Sequence, residues 1–204
     1  MTAVRSERKG RRILHSRLFA GGLFAIILIS DSRWENIGLT SAVLFFSGAL
    51  LVGIATVGRL WCSLYISGYK TKQLVKTGPY SLSRNPLYYF SLLGAIGVGM
   101  VTETLTIPVV IAAGFALYYP SVIREEESRL AEIHGDEYME YRLNTPLFLP
   151  SISLLKEPEE YTVNPRIFRK SIFEALWFVW ILGIIELLEE FHATGVIPTL
   201  FHLY

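Results

Sequence analysis

The stretch KTGPYSLSRNPLYY, residues 76–89, sets a turn, two bases, a helix cap and a proline directly ahead of a long apolar run at 87–101. Gly78-Pro79 predicts a turn. Ser83 or Asn85 can cap a helix that has Pro86 in its first turn, where a missing N–H costs nothing. Tyr80, Arg84, Tyr88 and Tyr89 therefore stand where the chain enters hydrocarbon. A long basic side chain and rings with polar tips both suit that boundary.

Outward from this boundary the apolar pattern predicts five spans. Residues 1–17 carry Arg5, Arg8, Lys9, Arg11, Arg12 and Arg17, ahead of an apolar segment at 18–30. The basic run reads as a membrane anchor and not as a nucleic-acid arm, because it is short and abuts a span. No small-residue cleavage site follows, so the first helix is expected to be retained. Asp31, Arg33 and Glu35 form a return loop, and a second span covers 37–58 with its pattern continuing to 66. Lys70, Lys72 and Lys76 lead back to the opening stretch and the short third span at 87–101, where Gly94, Gly97 and Gly99 allow a neighbouring helix to come close. Thr102, Glu103 and Thr104 predict a hairpin into a fourth span at 105–123, with Pro108 near its start. That span leaves through Arg124, Glu125, Glu126 and Glu127 into a helix that Gly135 ends. Residues 145–155 are expected to lie at the interface, and a last span covers 171–190.

Charged residues make up 18% of the 204 and hydrophobic ones 51%, with mean hydropathy +0.39. These values point to one integral membrane domain of the all-α class, with five transmembrane helices. The single cysteine, Cys62, excludes a disulfide framework and an all-protein thiolate zinc site. His15, His134, His192 and His202 lack ligand spacing, so no metal site is expected. Serine hydrolase, kinase and deaminase patterns are absent. With five spans, 18 of the 19 lysines and arginines fall on one side and only Arg33 on the other. That bias puts the amino terminus in the cytoplasm, the carboxy terminus outside, and the Arg84 turn, the glutamates and residues 138–142 on the cytoplasmic side.

On a helix Glu126 and Glu127 project about 100° apart, so one partner cannot take both. Either they form a solvated rim with Arg124 and Arg129, or one of them turns toward the Arg84 turn to orient a cationic or amine-bearing ligand. Arg84 and Arg142 admit a similar pair of readings: lipid headgroup contacts, or a shared anion in one pocket.

LVKTGPYSLSRNPLYY at 74–89, the spacing of Glu126, Glu127 and Leu130, the following Gly135, and Tyr138, Tyr141, Arg142 and Pro150 together resemble the isoprenylcysteine carboxyl methyltransferase and phospholipid methyltransferase superfamily of integral membrane enzymes. The resemblance covers about residues 70–150, leaving 1–66 as an amino-terminal region with two spans. It implies a cytoplasmic-side pocket for S-adenosylmethionine, with Tyr80, Arg84, Asn85, Pro86, Tyr88 and Glu126 binding the cofactor. Glu126, Glu127 and Arg142 would be catalytic, and Tyr138, Tyr141 and Arg142 would meet the substrate headgroup. Asn85 stands where the prenylcysteine enzymes usually carry histidine, Phe90 where glycine is common, and His134 where an aromatic residue is usual. The acceptor implied is thus a lipid or other lipophilic molecule, of which a prenylcysteine carboxylate is one case. Two other readings are open at this point. A scaffold or small transporter would need polar residues at mid-bilayer, which the apolar span centres argue against, and a membrane reductase would take a nicotinamide cofactor.

Overall fold

The computed structural model describes residues 2–34, 38–67, 69 and 73–204. Glu35, Lys70 and Lys72, and the side chains of Arg5, Arg8, Lys9, Arg11, Arg12 and His15, lie outside the described residues, and with them part of the charge pattern read above. Seven α-helices are described: α1 (Thr2–Ile29), α2 (Gly38–Ile66), α3 (Pro79–Leu82), α4 (Pro86–Val101), α5 (Thr106–His134), α6 (Asp136–Asn144) and α7 (Pro165–Ala193). A 3₁₀ turn covers Ile152–Leu154, and two short strands are β1 (Ser30–Ser32) and β2 (Phe201–Leu203).

Three of the helices, α2, α5 and α7, are long and apolar enough to cross a membrane, which makes this a membrane protein. Each has 29 residues, a rise of about 44 Å at 1.5 Å per residue, against a hydrocarbon core of about 30 Å. The other two expected spans are apolar but shorter: Ser16–Ile29 within α1, and α4 with 16 residues. The span expected at 171–190 is the middle of α7, which starts at Pro165 because Asn164 Oδ1 accepts hydrogen bonds from the amides of Arg166 and Ile167. Similarly α5 passes its change from apolar to charged residues without a break, and ends only at Gly135, where φ is +52°.

Packing centres on α4. It lies against α2 so closely that a Cβ on Gly97 would come within 2.7 Å of Gly48 O and 2.9 Å of Val52 N. Backbone meets backbone there, and only hydrogen fits. On its other sides α4 meets α5 and α7, with Phe178 of α7 reaching over Gly94.

The all-helical expectation needs one correction. β1 and β2 pair in parallel, Ser30 opposite Phe201 and Ser32 opposite Leu203. No local pattern announces three-residue strands from opposite ends of the chain; they pair because the helices bring their termini together. The tail also receives the amides of Leu105 and Thr106 on Tyr204 O, at 2.7 and 2.8 Å, and Arg33 N donates to Leu203 O at 2.8 Å. The loop after α1, the α4–α5 turn and the carboxy-terminal tail are thus joined at one end of the helices.

Candidate active site

The opposite end is built on the turn that opens the sequence reading. Gly78 holds φ +59° and ψ −134°, a conformation reserved for glycine, and a Cβ there would lie 2.3 Å from the Tyr65 ring. Its amide donates to Lys156 O at 2.8 Å, Lys156 N donates to Ser81 Oγ at 2.9 Å, and Ser151 N to Leu82 O at 2.9 Å. Arg84 N donates to Pro146 O at 2.9 Å, Ser83 Oγ to Phe148 O at 3.0 Å, and Asn85 Nδ2 to Leu147 O at 3.0 Å. Residues 146–156, which include most of the segment expected at the interface (145–155), form a strap along residues 78–85. Leu147, Leu149 and Ile152 still point outward and exposed. Asn85 occupies the N-cap position of α4, yet its side chain makes no cap hydrogen bond. Its Nδ2 instead donates to Leu147 O of the strap and to Glu127 Oε1.

The turn, the end of α2 with Tyr69 and residues 73–75, α4, α5 and α6 enclose a cavity of about 140 Å³, open on one side, lined by Tyr80, Arg84, Asn85, Tyr88, Glu126 and Tyr141 among others. The two glutamates take different partners, as their angular separation requires. Tyr88 Oη donates to Glu126 Oε2 at 2.7 Å. Arg84 Nη1 pairs with Glu127 Oε1 at 3.1 Å, with side chains only 10% and 13% exposed, and Asn85 Nδ2 donates to the same oxygen at 3.4 Å. Arg84 Nε is buried without a hydrogen-bond acceptor. Tyr141 Oη donates to Tyr80 O at 2.6 Å and ties α6 to the turn.

Three phenols here are held protonated. Burial, with further contributions from neighbours that include Tyr141 and Glu126, pushes Tyr80 well above its usual value. Tyr141 is raised by burial and by Tyr138. Tyr138, pushed up to about 12 by burial and next by Glu127, packs with Tyr141 and Leu74. At neutral pH all three are hydrogen-bond donors and not anions. On the α5 side Tyr119 lies edge-on to Tyr88 at 5.4 Å and stacks on Phe115 at 3.8 Å, an aromatic wall running from the cavity toward the apolar layer.

Of the residues expected at a cofactor site, Tyr80, Arg84, Asn85, Tyr88 and Glu126 line this one cavity. Pro86 is buried at the start of α4 and does not line it. Of the residues expected near the substrate, Tyr141 lines the cavity and Tyr138 is buried behind it, while Glu127 stands behind Arg84. Arg142 does not join them. Tyr138 and Tyr141 are buried on α6, and Arg142 is exposed although, four residues after Tyr138, it falls only about 40° from it around the helix, on the side away from Tyr141. Sequence reasoning missed Tyr69, Gln73 and Arg129 in the lining. Arg129 was within reach of it, being three residues past Glu126 on the same helix face.

Residues 39–137 match the phospholipid methyltransferase family, a region that begins at the head of α2 and ends just before Tyr138. The cobalt-zinc-cadmium resistance protein CzcN of Cupriavidus metallidurans is 43% identical over 175 residues, 86% of this chain and 80% of that protein. The nickel-cobalt-cadmium resistance protein NccN of Alcaligenes xylosoxydans xylosoxydans is 36% identical over 183 residues, 90% of this chain and 85% of its own. No solved structure matches the chain.

Proposed function

We propose that this chain, which belongs to the phospholipid methyltransferase family, transfers a methyl group from S-adenosylmethionine to a lipophilic acceptor at the cytoplasmic face of a membrane. The observation that carries the reading is the pairing, in one cavity, of a tyrosine-held carboxylate, Glu126, with an arginine whose Nε lacks an acceptor, Arg84. A zwitterionic sulfonium amino acid presents both charges, and this donor set fits it: Glu126 faces the cations, Arg84 and Arg129 the carboxylate. The cavity is smaller than the roughly 300 Å³ at which small-molecule pockets begin, so the ligand extends through the open side.

When bound, the cofactor supplies a methyl group on a positively charged sulfur. The chain's own residues orient and exclude water. Tyr88 fixes the Glu126 carboxylate, and the Tyr119–Phe115 wall keeps water from the acceptor's path. Glu127 is already satisfied by Arg84 and Asn85, which leaves Glu126 as the group able to accept a proton from an amine acceptor. A carboxylate acceptor needs no base. Arg142, exposed on α6, is left to contact headgroups outside the cavity.

The gathering of the α1–α2 loop, the α4–α5 turn and the tail at the strand-pair end supports five crossings, with Ser16–Ile29 and α4 as the short ones. In this topology the cavity end is cytoplasmic. An impermeant thiol reagent outside sealed vesicles should reach a cysteine placed at Thr199 and not one at Ser153; the reverse would overturn the orientation. The relatives' names extend the reading to metal tolerance. We place any such role with the methylated product.

Calorimetry on the detergent-purified protein tests the cofactor: S-adenosylhomocysteine should bind, and binding of NADPH in its place would overturn the reading. A methyl-transfer assay then compares a prenylated cysteine, an aminophospholipid and a hydrophobic thiol with short-chain analogues of each. Equal methylation of the soluble analogues would remove the lipophilic acceptor.

A further inference from the structure

The strap presents an apolar surface that the cavity does not use. Between Arg142 and Lys156 the sequence LNTPLFLPSISLL holds no charged residue. Leu143, Leu149 and Ile152 are 87%, 71% and 82% exposed, with Leu147 and Leu155 also exposed beside them. One side chain of the segment turns the other way: the Phe148 ring lies 5.8 Å from that of Tyr89 on α4 and 5.9 Å from that of Phe115 on α5. Phe115 stands nine residues before Arg124, the first charge on α5, a distance of about 13 Å along the helix. The middle of the strap therefore lies beside a part of α5 that is still apolar, deeper than the surface position its composition predicts.

Irregular backbone is tolerated at that depth where its polar groups are satisfied inside the protein. The strap turns its carbonyls inward: Pro146 O accepts from Arg84 N at 2.9 Å, Leu147 O from Asn85 Nδ2 at 3.0 Å, and Phe148 O from Ser83 Oγ at 3.0 Å. Pro146 and Pro150 have no N–H to satisfy, and Ser151 N donates to Leu82 O. Backbone thus faces the turn and leucines face away from it. In water those leucines would leave a contiguous apolar patch uncovered, whereas acyl chains cover it at no such cost. The flanks suit the same partner, since Arg142 and Lys156 are exposed at the two ends of the segment, where long basic side chains reach lipid phosphates. We propose that residues 143–155 form a re-entrant segment seated in the bilayer leaflet on the cavity side, with Leu149 and Ile152 among the acyl chains and Arg142 and Lys156 at the phosphates. Arg84 and Asn85, which line the cavity, are then tied to a segment that lipid covers. The seat rests on the strap and its neighbours and is independent of the methyl-transfer reading.

The test attaches a nitroxide to Leu149→Cys, Ile152→Cys and Glu159→Cys, one substitution per chain, in the full protein reconstituted into vesicles of phosphatidylcholine and phosphatidylglycerol. The unsubstituted chain, whose Cys62 is buried, serves as the blank. Collisions of the label are read with oxygen, which concentrates among acyl chains, and with a nickel chelate confined to water. Oxygen should dominate at 149 and 152, and the chelate at Glu159→Cys, an exposed position three residues beyond Lys156. Chelate contact at 149 and 152 equal to that at Glu159→Cys would put the strap in water and overturn the proposal. Comparable contact with both reagents would return the strap to the headgroup level and overturn it as well. So would protection from both, which would mean that protein, such as a second copy of the chain, covers the leucines. The side chains replaced at 149 and 152 are exposed, so the fold does not depend on them, and the two positions decide the matter independently.

Discussion

The two ends of this helix bundle are closed by different means. At the strand-pair end the closure is backbone: β1 with β2, and the amides of Arg33, Leu105 and Thr106 on the last residues of the tail. The space left there, among Ser30, Asp31, Thr102 and His192, is about 20 Å³. At the cavity end the strap is also held by hydrogen bonds, but the centre is filled by side chains, the Arg84–Glu127 pair and Tyr88 on Glu126, around about 140 Å³. Backbone pairing consumes its donors and acceptors fully and leaves nothing to offer. Polar side chains satisfied on one edge only, such as Arg84 with its unpaired Nε, keep capacity for a ligand.

Substitution should separate the ends, and the largest effect is expected at Arg84. Arg84→Ala leaves Glu127 buried without its cation, so the protein should lose about 3 kcal/mol of stability and bind S-adenosylhomocysteine at least about tenfold more weakly. Melting in detergent and calorimetry measure the two losses; unchanged affinity in a folded variant would remove Arg84 from the ligand site. Gly78→Ala forces a side chain into a left-handed φ and against the Tyr65 ring, and about 2 kcal/mol should be lost. A melting temperature equal to that of the wild type would show that the turn relaxes without strain. Removing residues 201–204 deletes β2 and the acceptors on Leu203 and Tyr204, but frees groups that water can reach. The expected cost is about 1 kcal/mol, with cofactor affinity changed less than about twofold; a collapse of binding would show that the ends are coupled.

The smallest effect belongs to the exposed pair Lys76–Glu137, 2.7 Å apart. The hydrogen bond and charge of Lys76 hold the Glu137 carboxyl below its usual value. A depressed carboxylate contributes stability above its unfolded pKa and loses it as pH falls through the folded one. Glu137→Gln should therefore lower the melting temperature slightly at pH 7 and not at pH 3, and high salt should remove the difference. A difference that persists at pH 3 would assign the effect to something other than this ion pair.

Much of this was legible in the residues. Hydropathy located all five apolar segments, Pro86 marked the start of α4 and Gly135 the end of α5, and the 100° step between Glu126 and Glu127 foretold that they would part company. These are properties of a helix and its neighbours within a turn or two, and the chain determines them locally. The tertiary structure alone decided that Asn85 would hold Leu147, 62 residues away, in place of capping its own helix, and that Tyr88 would take Glu126 while Arg84 took Glu127. It also decided that Arg142 would face outward, and that residues 30–32 would find 201–203. Each of these choices depends on which of several chemically equivalent partners the packing of α4 against α2 and α5 brings within 3 Å or so, a hydrogen bond's reach. Spacing along the chain shows which groups can pair, while only the distance between helices selects the one that does.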